Sequence, residues 1–268
     1  MSGDDAATPL DRVLFLARAE SRVEILELLV DSNAATQRQL RARADASRTT
    51  VSRSLQSLTE RGWVENSEGE YRLTRAGELI ATSFLELLGT VEQVDELGEF
   101  LRWFPTDVDP PNVLGASGLE VTASTEADPY APARTQTEIL RNADHLRVLL
   151  PAIEIESTKT LAEQVTGRGL TLETVITPSL EPTIESPKFA PPMREVLRTE
   201  GVDLFVAEDP LPFYLGLAAD GRVQIGLADD EGFPRALLET TDQDIRAWAD
   251  DMYQRHHESA RRKPADEL

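Results

Sequence analysis

Apolar residues recur at helical spacing over the early part of the chain and at strand-like spacing over much of the rest. From Leu10 to Val30 they fall at Val13, Leu14, Leu16 and Ala17 and then at Val23, Ile25, Leu26, Leu28 and Leu29, which predicts one helix or two short ones with a buried stripe. Thr36 is placed to cap a short helix running to Ala44, with Leu40 facing inward, and Asp45-Ala46 makes a tight turn. Ser47 then caps a further helix whose Val51, Leu55 and Leu58 form a core-facing stripe, ending at Arg61-Gly62. Alternation in Trp63–Asn66 and in Glu70–Leu73, on either side of Ser67-Glu68-Gly69, predicts a hairpin. A Leu- and Glu-rich stretch from about Ala76 to Phe104 predicts one long connecting or pairing helix.

Pro105, Pro110 and Pro111 place a domain boundary after that helix. Beyond it, apolar runs at about 113–122, 146–151, 170–177 and 202–207 alternate with helical stretches starting near Ala131, Ser157 and Pro191. Strands alternating with helices predict a parallel or mixed sheet covered by helices. Phe213–Ala218 and Val223–Leu227 flank Ala219-Asp220-Gly221-Arg222 and predict a hairpin on the sheet edge, and a last helix starts near Asp242 with arginines toward its end (Arg255, Arg261, Arg262).

Composition narrows the function. The 268 residues, 40% of them hydrophobic, suffice for two domains with cores of their own, and the absence of cysteine excludes disulfides, thiolate metal sites and thiol nucleophiles. No apolar run approaches the ~20 residues of a membrane span, and the start of the chain is acidic where a signal peptide is basic, so a cytoplasmic location is expected. The net charge is −21, and lysine occurs only at Lys159, Lys188 and Lys263. Such an acidic chain suits a solvent near molar salt, where the Debye length shrinks to ~3 Å, and in this it resembles proteins of extremely halophilic archaea.

Against that trend, residues 37–61 carry six arginines and two acids, a local charge of +4. With Val51, Leu55 and Leu58 inward, Arg48, Thr49, Ser52, Arg53 and Gln56 take the outer face, where arginine suits guanine and Gln, Ser and Thr suit other base edges. Arg38, Arg41, Ser47, Thr50 and the hairpin residue Arg72 are better placed for phosphates. The run TQRQLRARADASRTTVSRSLQSLTERGWVE followed by YRLTRAG resembles the archaeal winged helix-turn-helix regulators, a resemblance that implies double-stranded DNA as partner.

The segment FYLGLAADGRVQIGLADDEGFPRALLETTDQDIRAWADDMYQRH resembles the C-terminal domain of archaeal regulators related to the methanogenesis and filament regulator, and more distantly the TrmB-like regulators. This implies a regulatory domain that takes an effector, with Asp220-Gly221, the Gly232-to-Pro234 turn and Trp248 as architectural positions. Related sensor domains resemble the phospholipase-D fold, but that chemistry needs H-x-K, and none of His145, His256 and His257 has a lysine two residues on. His145 is expected at the surface, and His256-His257 at a solvated helix end. P-loop, G-x-S-x-G and G-x-G-x-x-G motifs are absent, so no catalytic residue, metal or cofactor is expected. Strand ends of an α/β sheet select Glu154, Thr177, Glu208 and Tyr214 as candidates for an effector pocket.

The expectation is thus an α+β winged helix-turn-helix over 1–80, a connecting or dimerising helix and Pro-rich linker over 81–111, an α/β regulatory domain with a mixed sheet over 112–262 and a tail over 263–268. The function expected is a sequence-specific, effector-responsive regulator acting as a homodimer on a two-fold site. The alternatives are a winged-helix adaptor that binds protein only, or an enzyme of the second domain.

Overall fold

Capping chemistry sets the early helices where the side chains ask for it. Thr8 accepts from the Asp11 amide and Asp11 answers through its carboxylate, opening α1 (Pro9–Ala17) with a reciprocal capping box. Thr36 and Gln39 repeat the device at α3 (Gln37–Arg43), and Ser47 accepts from the Thr50 amide at α4 (Arg48–Glu60). Each such cap contributes about 1 kcal/mol. The computed structural model describes residues 8–113 and 115–268, divided into two compact units at Glu92/Gln93. Among the described residues no helix is long and apolar enough to cross a membrane.

The first unit also contains α2 (Glu20–Ser32), β1 (Ala35–Thr36), β2 (Val64–Ser67), β3 (Glu70–Leu73) and most of α5 (Arg75–Glu96). The Leu10–Val30 stretch therefore resolves into two helices. Leu16, Ile25, Leu26, Leu29, Leu40, Val51, Leu55, Leu58, Trp63 and Phe84 make its core, and burial of each large apolar side chain stabilises it by roughly 1.5–3 kcal/mol. The strands lie in the order β1-β3-β2, and Glu68 (φ 54°) and Gly69 (φ 88°) turn the β2–β3 hairpin. Positive φ at both central residues marks the turn that matches strand twist.

The Leu73-Thr74-x-x-Gly77 run has a physical reason in the fold. Thr74 donates its hydroxyl to the Gly62 carbonyl at 2.6 Å, while its own oxygen accepts from the Gly77 amide at 3.0 Å. A Cβ at position 77 would overlap the Trp63 carbonyl, so only glycine lets α5 start against the hairpin.

The second unit begins within the stretch that reads as one long helix. The helix stops at Glu96, and α6 (Gly98–Trp103) follows as a separate element. Leu97, Phe100, Phe104 and Val113 are buried in the core of this unit. Packing overrides an unbroken apolar periodicity here, and the compact units divide before the prolines rather than at them.

Next come β4 (Glu120–Ala123), α7 (Ala131–Asn142), β5 (His145–Leu150), α8 (Ile155–Arg168), β6 (Thr171–Ile176), α9 (Glu181–Ile184), α10 (Ala190–Leu197) and β7 (Val202–Val206). The chain ends with β8 (Tyr214–Ala218), β9 (Val223–Ala228), β10 (Pro234–Thr240), α11 (Gln243–Glu258) and β11 (Arg261–Arg262). They build a mixed eight-stranded sheet in the order β11-β7-β6-β5-β8-β9-β10-β4. Strands β5, β6 and β7 are parallel and the other pairings antiparallel. Alternating positions serve two cores: Leu146, Val148 and Leu172 meet Ile139 of α7, Val165 of α8 and Val196 of α10. Leu149, Val175, Leu215 and Ile225 meet Phe100 of α6 and Ile245, Ala249 and Tyr253 of α11.

Several expectations change. The β8–β9 hairpin lies in the middle of the sheet, because Tyr214–Ala218 is buried on both faces, as a continuous apolar run allows. Strand β10 begins at Pro234, where the turn from Gly232 ends, and fills a stretch to which the sequence assigned no strand, and β4 takes only the end of the 113–122 run. Arg261 and Arg262 leave the helix and form an edge strand on β7. Beyond them Lys263 is 3% exposed, its ammonium donating to Glu181 and Glu185 at 2.8 Å each, so the stretch read as a tail is packed there.

Candidate nucleic-acid interface

Helix α4 is positioned from its buried side. Val51, Leu55 and Leu58 anchor it in the core, and Ser54 meets Ser21 of α2 at 2.9 Å. The opposite side carries Arg48, Thr49, Ser52, Arg53 and Gln56, all exposed. Their spacing follows from 3.6 residues per turn: 48, 52 and 56 form one row and 49 and 53 the next. Within this unit the ion pairs among the described residues run elsewhere, as Arg72–Glu70 at 3.9 Å and Arg75–Glu78 at 2.6 Å. The charges of Arg48 and Arg53 are therefore uncommitted, and a guanidinium with free donors is a bidentate partner for guanine or phosphate.

The expected phosphate set is only partly brought together. Arg38 is exposed on α3, and Arg41 is half-buried with its Nε enclosed and, among the described residues, without a hydrogen-bond partner. Ser47 and Thr50 stand at the N-terminus of α4, their hydroxyls 2.8 Å apart and engaged in the cap. Arg72 stands apart: it pairs across the hairpin with Glu65 and lies 3.9 Å from Glu70. With Glu68 at the turn, the hairpin tip is acidic, and Arg72 is offset by its own carboxylates. Arg61 also leaves the basic face, lying over the Phe15 ring at 3.4 Å and donating to the Ser57 carbonyl at 3.1 Å. Arg22 lies over the same ring at 3.8 Å, and burial, then the charge of Arg61, pulls its pKa down.

One polar contact on this outer face was missed from the sequence. Gln56 Nε2 donates to Glu60 Oε1 at 2.9 Å. The i, i+4 spacing of an amide and a carboxylate was the available signal.

The four pocket candidates of the second unit differ in exposure. Glu154 and Glu208 are exposed, Glu154 at the start of α8 and Glu208 just past β7. Thr177 is buried and accepts from the Leu211 amide at 3.3 Å. Tyr214 is buried in the core. Its ring lies against Gly216 and Gly226, its hydroxyl donates to Gln224 at 3.3 Å, and burial pushes its pKa far up. An apolar cavity of about 40 Å³ lies elsewhere, lined by Leu150, Ile153, Thr174, Ile184 and Met193 among others.

The remaining candidates are architectural. Trp248 stacks on Phe213 with centroids 6.0 Å apart, and its indole donates to the Asp109 carbonyl at 3.2 Å. His145 is exposed, its Nδ1 2.8 Å from the Thr171 hydroxyl. His257 does not sit at a solvated helix end: it packs edge-on to Phe205 at 4.4 Å and stacks on Tyr253 at 5.7 Å. Burial, then Arg255, lowers the pKa of His256. Among the described residues no three His, Asp or Glu side chains are grouped to hold a metal ion.

Comparison with known proteins agrees with this division into two parts. Residues 10–96 match the model of the HVO_A0261 N-terminal domain, and residues 129–259 match the middle domain of the methanogenesis regulatory protein FilR1. No curated protein matches the sequence. Among solved structures, the archaeal chromatin protein TrmBL2 aligns over 94% of this chain and 99% of its own at 16% identity and a TM-score of 0.42. The phospholipase D family member Nuc of Salmonella typhimurium aligns over 55% of this chain and 99% of its own at 13% identity and a TM-score of 0.43. The MarR family regulator SPO1453 of Silicibacter pomeroyi aligns over 34% of this chain and 77% of its own at 19% identity and a TM-score of 0.28. The first model thus matches the part of the chain that forms the winged helix-turn-helix, and the second matches the greater part of the helix-covered mixed sheet.

Proposed function

We propose that this chain is a sequence-specific DNA-binding transcription regulator that reads double-stranded DNA with α4. The observation that carries this reading is the exposed face Arg48, Thr49, Ser52, Arg53 and Gln56, within a segment of charge +4 on a chain of charge −21. Bulk charge repels DNA, so a local cationic face with base-reading side chains has to supply both attraction and specificity. Arg38 and Arg41, with Ser47 and Thr50 at the helix start, take the flanking phosphates, and Arg72 adds little because Glu65 and Glu70 face it.

A homodimer is the working form in this reading. Leu79, Leu87, Val91 and Val94 are exposed along α5, and a second copy of the same helix is a self-complementary cover for them. Two α4 helices then meet half-sites one or two DNA turns apart on a palindrome. The regulatory family of the second unit supports an effector that shifts this spacing, by as much as its affinity differs between the two arrangements. The charge of −21 supports action in a cytoplasm near molar salt.

Genome-wide crosslinking of bound DNA in the native host, comparing wild type with Arg48→Ala/Arg53→Ala, tests the reading. Discrete peaks sharing a palindrome and lost in the variant are expected. No enrichment in either strain overturns DNA binding in favour of a protein-interaction adaptor.

A further inference from the structure

Gln56 differs from the other outward residues of α4 because its side chain is already held. Its amide nitrogen donates to Glu60 Oε1 at 2.9 Å, one turn on along the same exposed face. A carboxylate only accepts, so this contact determines which end of the amide is nitrogen and which is oxygen. Helix stability does not account for Glu60. A negative charge in the last turn of a helix is opposed by the helix dipole, and Glu60 is one of two acids in the otherwise basic 37–61 segment.

We propose that Gln56 reads adenine and that Glu60 is its positioning residue; this rests on the DNA-binding reading above. The amide nitrogen carries two hydrogens, of which Glu60 takes one. The other hydrogen and the carbonyl oxygen remain side by side as a donor and an acceptor. In the major groove adenine offers the matching pair, an N7 acceptor beside an N6 amine donor. Guanine offers two acceptors, thymine an acceptor beside a methyl, and cytosine an amine with no acceptor beside it. A free glutamine turns its amide over to suit guanine or thymine, whereas one held by a carboxylate loses that contact if it turns.

The test is selection of bound duplexes from a randomised pool, using the full-length purified protein as wild type, Gln56→Ala and Glu60→Ala. Circular dichroism confirms that each variant folds. Wild type is expected to show one column per half-site with about tenfold or greater preference for adenine, the size of one bidentate contact. In Gln56→Ala that preference falls to within about twofold while the other columns stay unchanged. In Glu60→Ala the same column broadens to admit guanine and thymine, a change in one column that general loss of stability does not produce. The adenine assignment is overturned if Gln56→Ala leaves every column unchanged or alters a column that prefers another base. The positioning role of Glu60 is overturned if its column stays sharp in Glu60→Ala. A wild type that enriches no motif overturns the DNA-binding reading itself, an outcome distinct from both.

Discussion

Ser21 on α2 and Ser54 on α4 share a hydrogen bond of 2.9 Å in an otherwise apolar core. Both residues are buried, so the two hydroxyls satisfy one another where water cannot. The bond ties the helix that carries the proposed reading face to the helix behind it.

Removing one partner strands the other. Ser54→Ala is therefore expected to lower the unfolding free energy of the first unit by about 1–2 kcal/mol, and Ser21→Ala/Ser54→Ala by less than the two single losses together. Urea denaturation of the four forms closes this double-mutant cycle, and a coupling of zero would show that the bond contributes nothing.

The stripe on α5 predicts an oligomeric state. Leu87, Val91 and Val94 follow the four-then-three spacing of a coiled-coil seam, and Leu87 and Val91 are 52% and 50% exposed. Light scattering at molar KCl is expected to report a dimer for wild type and a monomer for Leu87→Glu/Val91→Glu, with unchanged circular dichroism. A wild-type monomer, or a variant that stays dimeric, refutes the pairing.

Lys263 predicts a pH dependence in the second unit. Burial pulls its pKa down, but the hydrogen bonds to Glu181 and Glu185 outweigh this, and the net direction is up. Glu181 is held below the usual carboxylate range, first by its hydrogen bond to Lys263 and, against some burial, by Arg261 as well. A depressed carboxyl stabilises the fold above its ordinary pKa of 4.5, and that contribution is lost as pH falls through the lower folded value. The raised ammonium contributes below its ordinary 10.5, and its share is lost only as pH climbs past the folded value. Lys263→Met is therefore expected to cost about 1–3 kcal/mol at pH 7, less than a fully buried pair because the glutamates keep some contact with water. Melting curves from pH 3 to 8 check this: the gap between wild type and variant closes on the acid side, and a gap independent of pH rules out the ion pair as its source.

The candidate site was legible because its signals are local. Ser47 as cap, Val51, Leu55 and Leu58 as buried stripe, and Arg48, Thr49, Ser52, Arg53 and Gln56 as outer face all follow from one helix with 3.6 residues per turn. Arg72 and Arg61 were read less well because their partners come from other elements. Glu65 reaches Arg72 only through hairpin register, and Phe15 reaches Arg61 only through packing of α1 near α4. The burial of Tyr214 was hidden for a related reason. Strand ends can be located along a sequence, but Tyr214 packs into the core because Gly216 and Gly226 leave room for its ring there.

Sequence by itself determined the capped starts of α3, α4 and α11, the β2–β3 turn, the basic face and the alternation of strands and helices from β5 to β7, since capping, turn chemistry and periodicity act over a few neighbouring residues. Tertiary structure alone decided that the long helix ends at Glu96, that β8 and β9 occupy the middle of the sheet, that Pro234–Thr240 is a strand and that Lys263 is buried. The physical reason is that burial of an apolar run depends on what other segments bring against it. Leu97, Phe100 and Phe104 continue a helical pattern, yet strand residues that share their core, such as Leu215, Ile225 and Leu238, come from far along the chain.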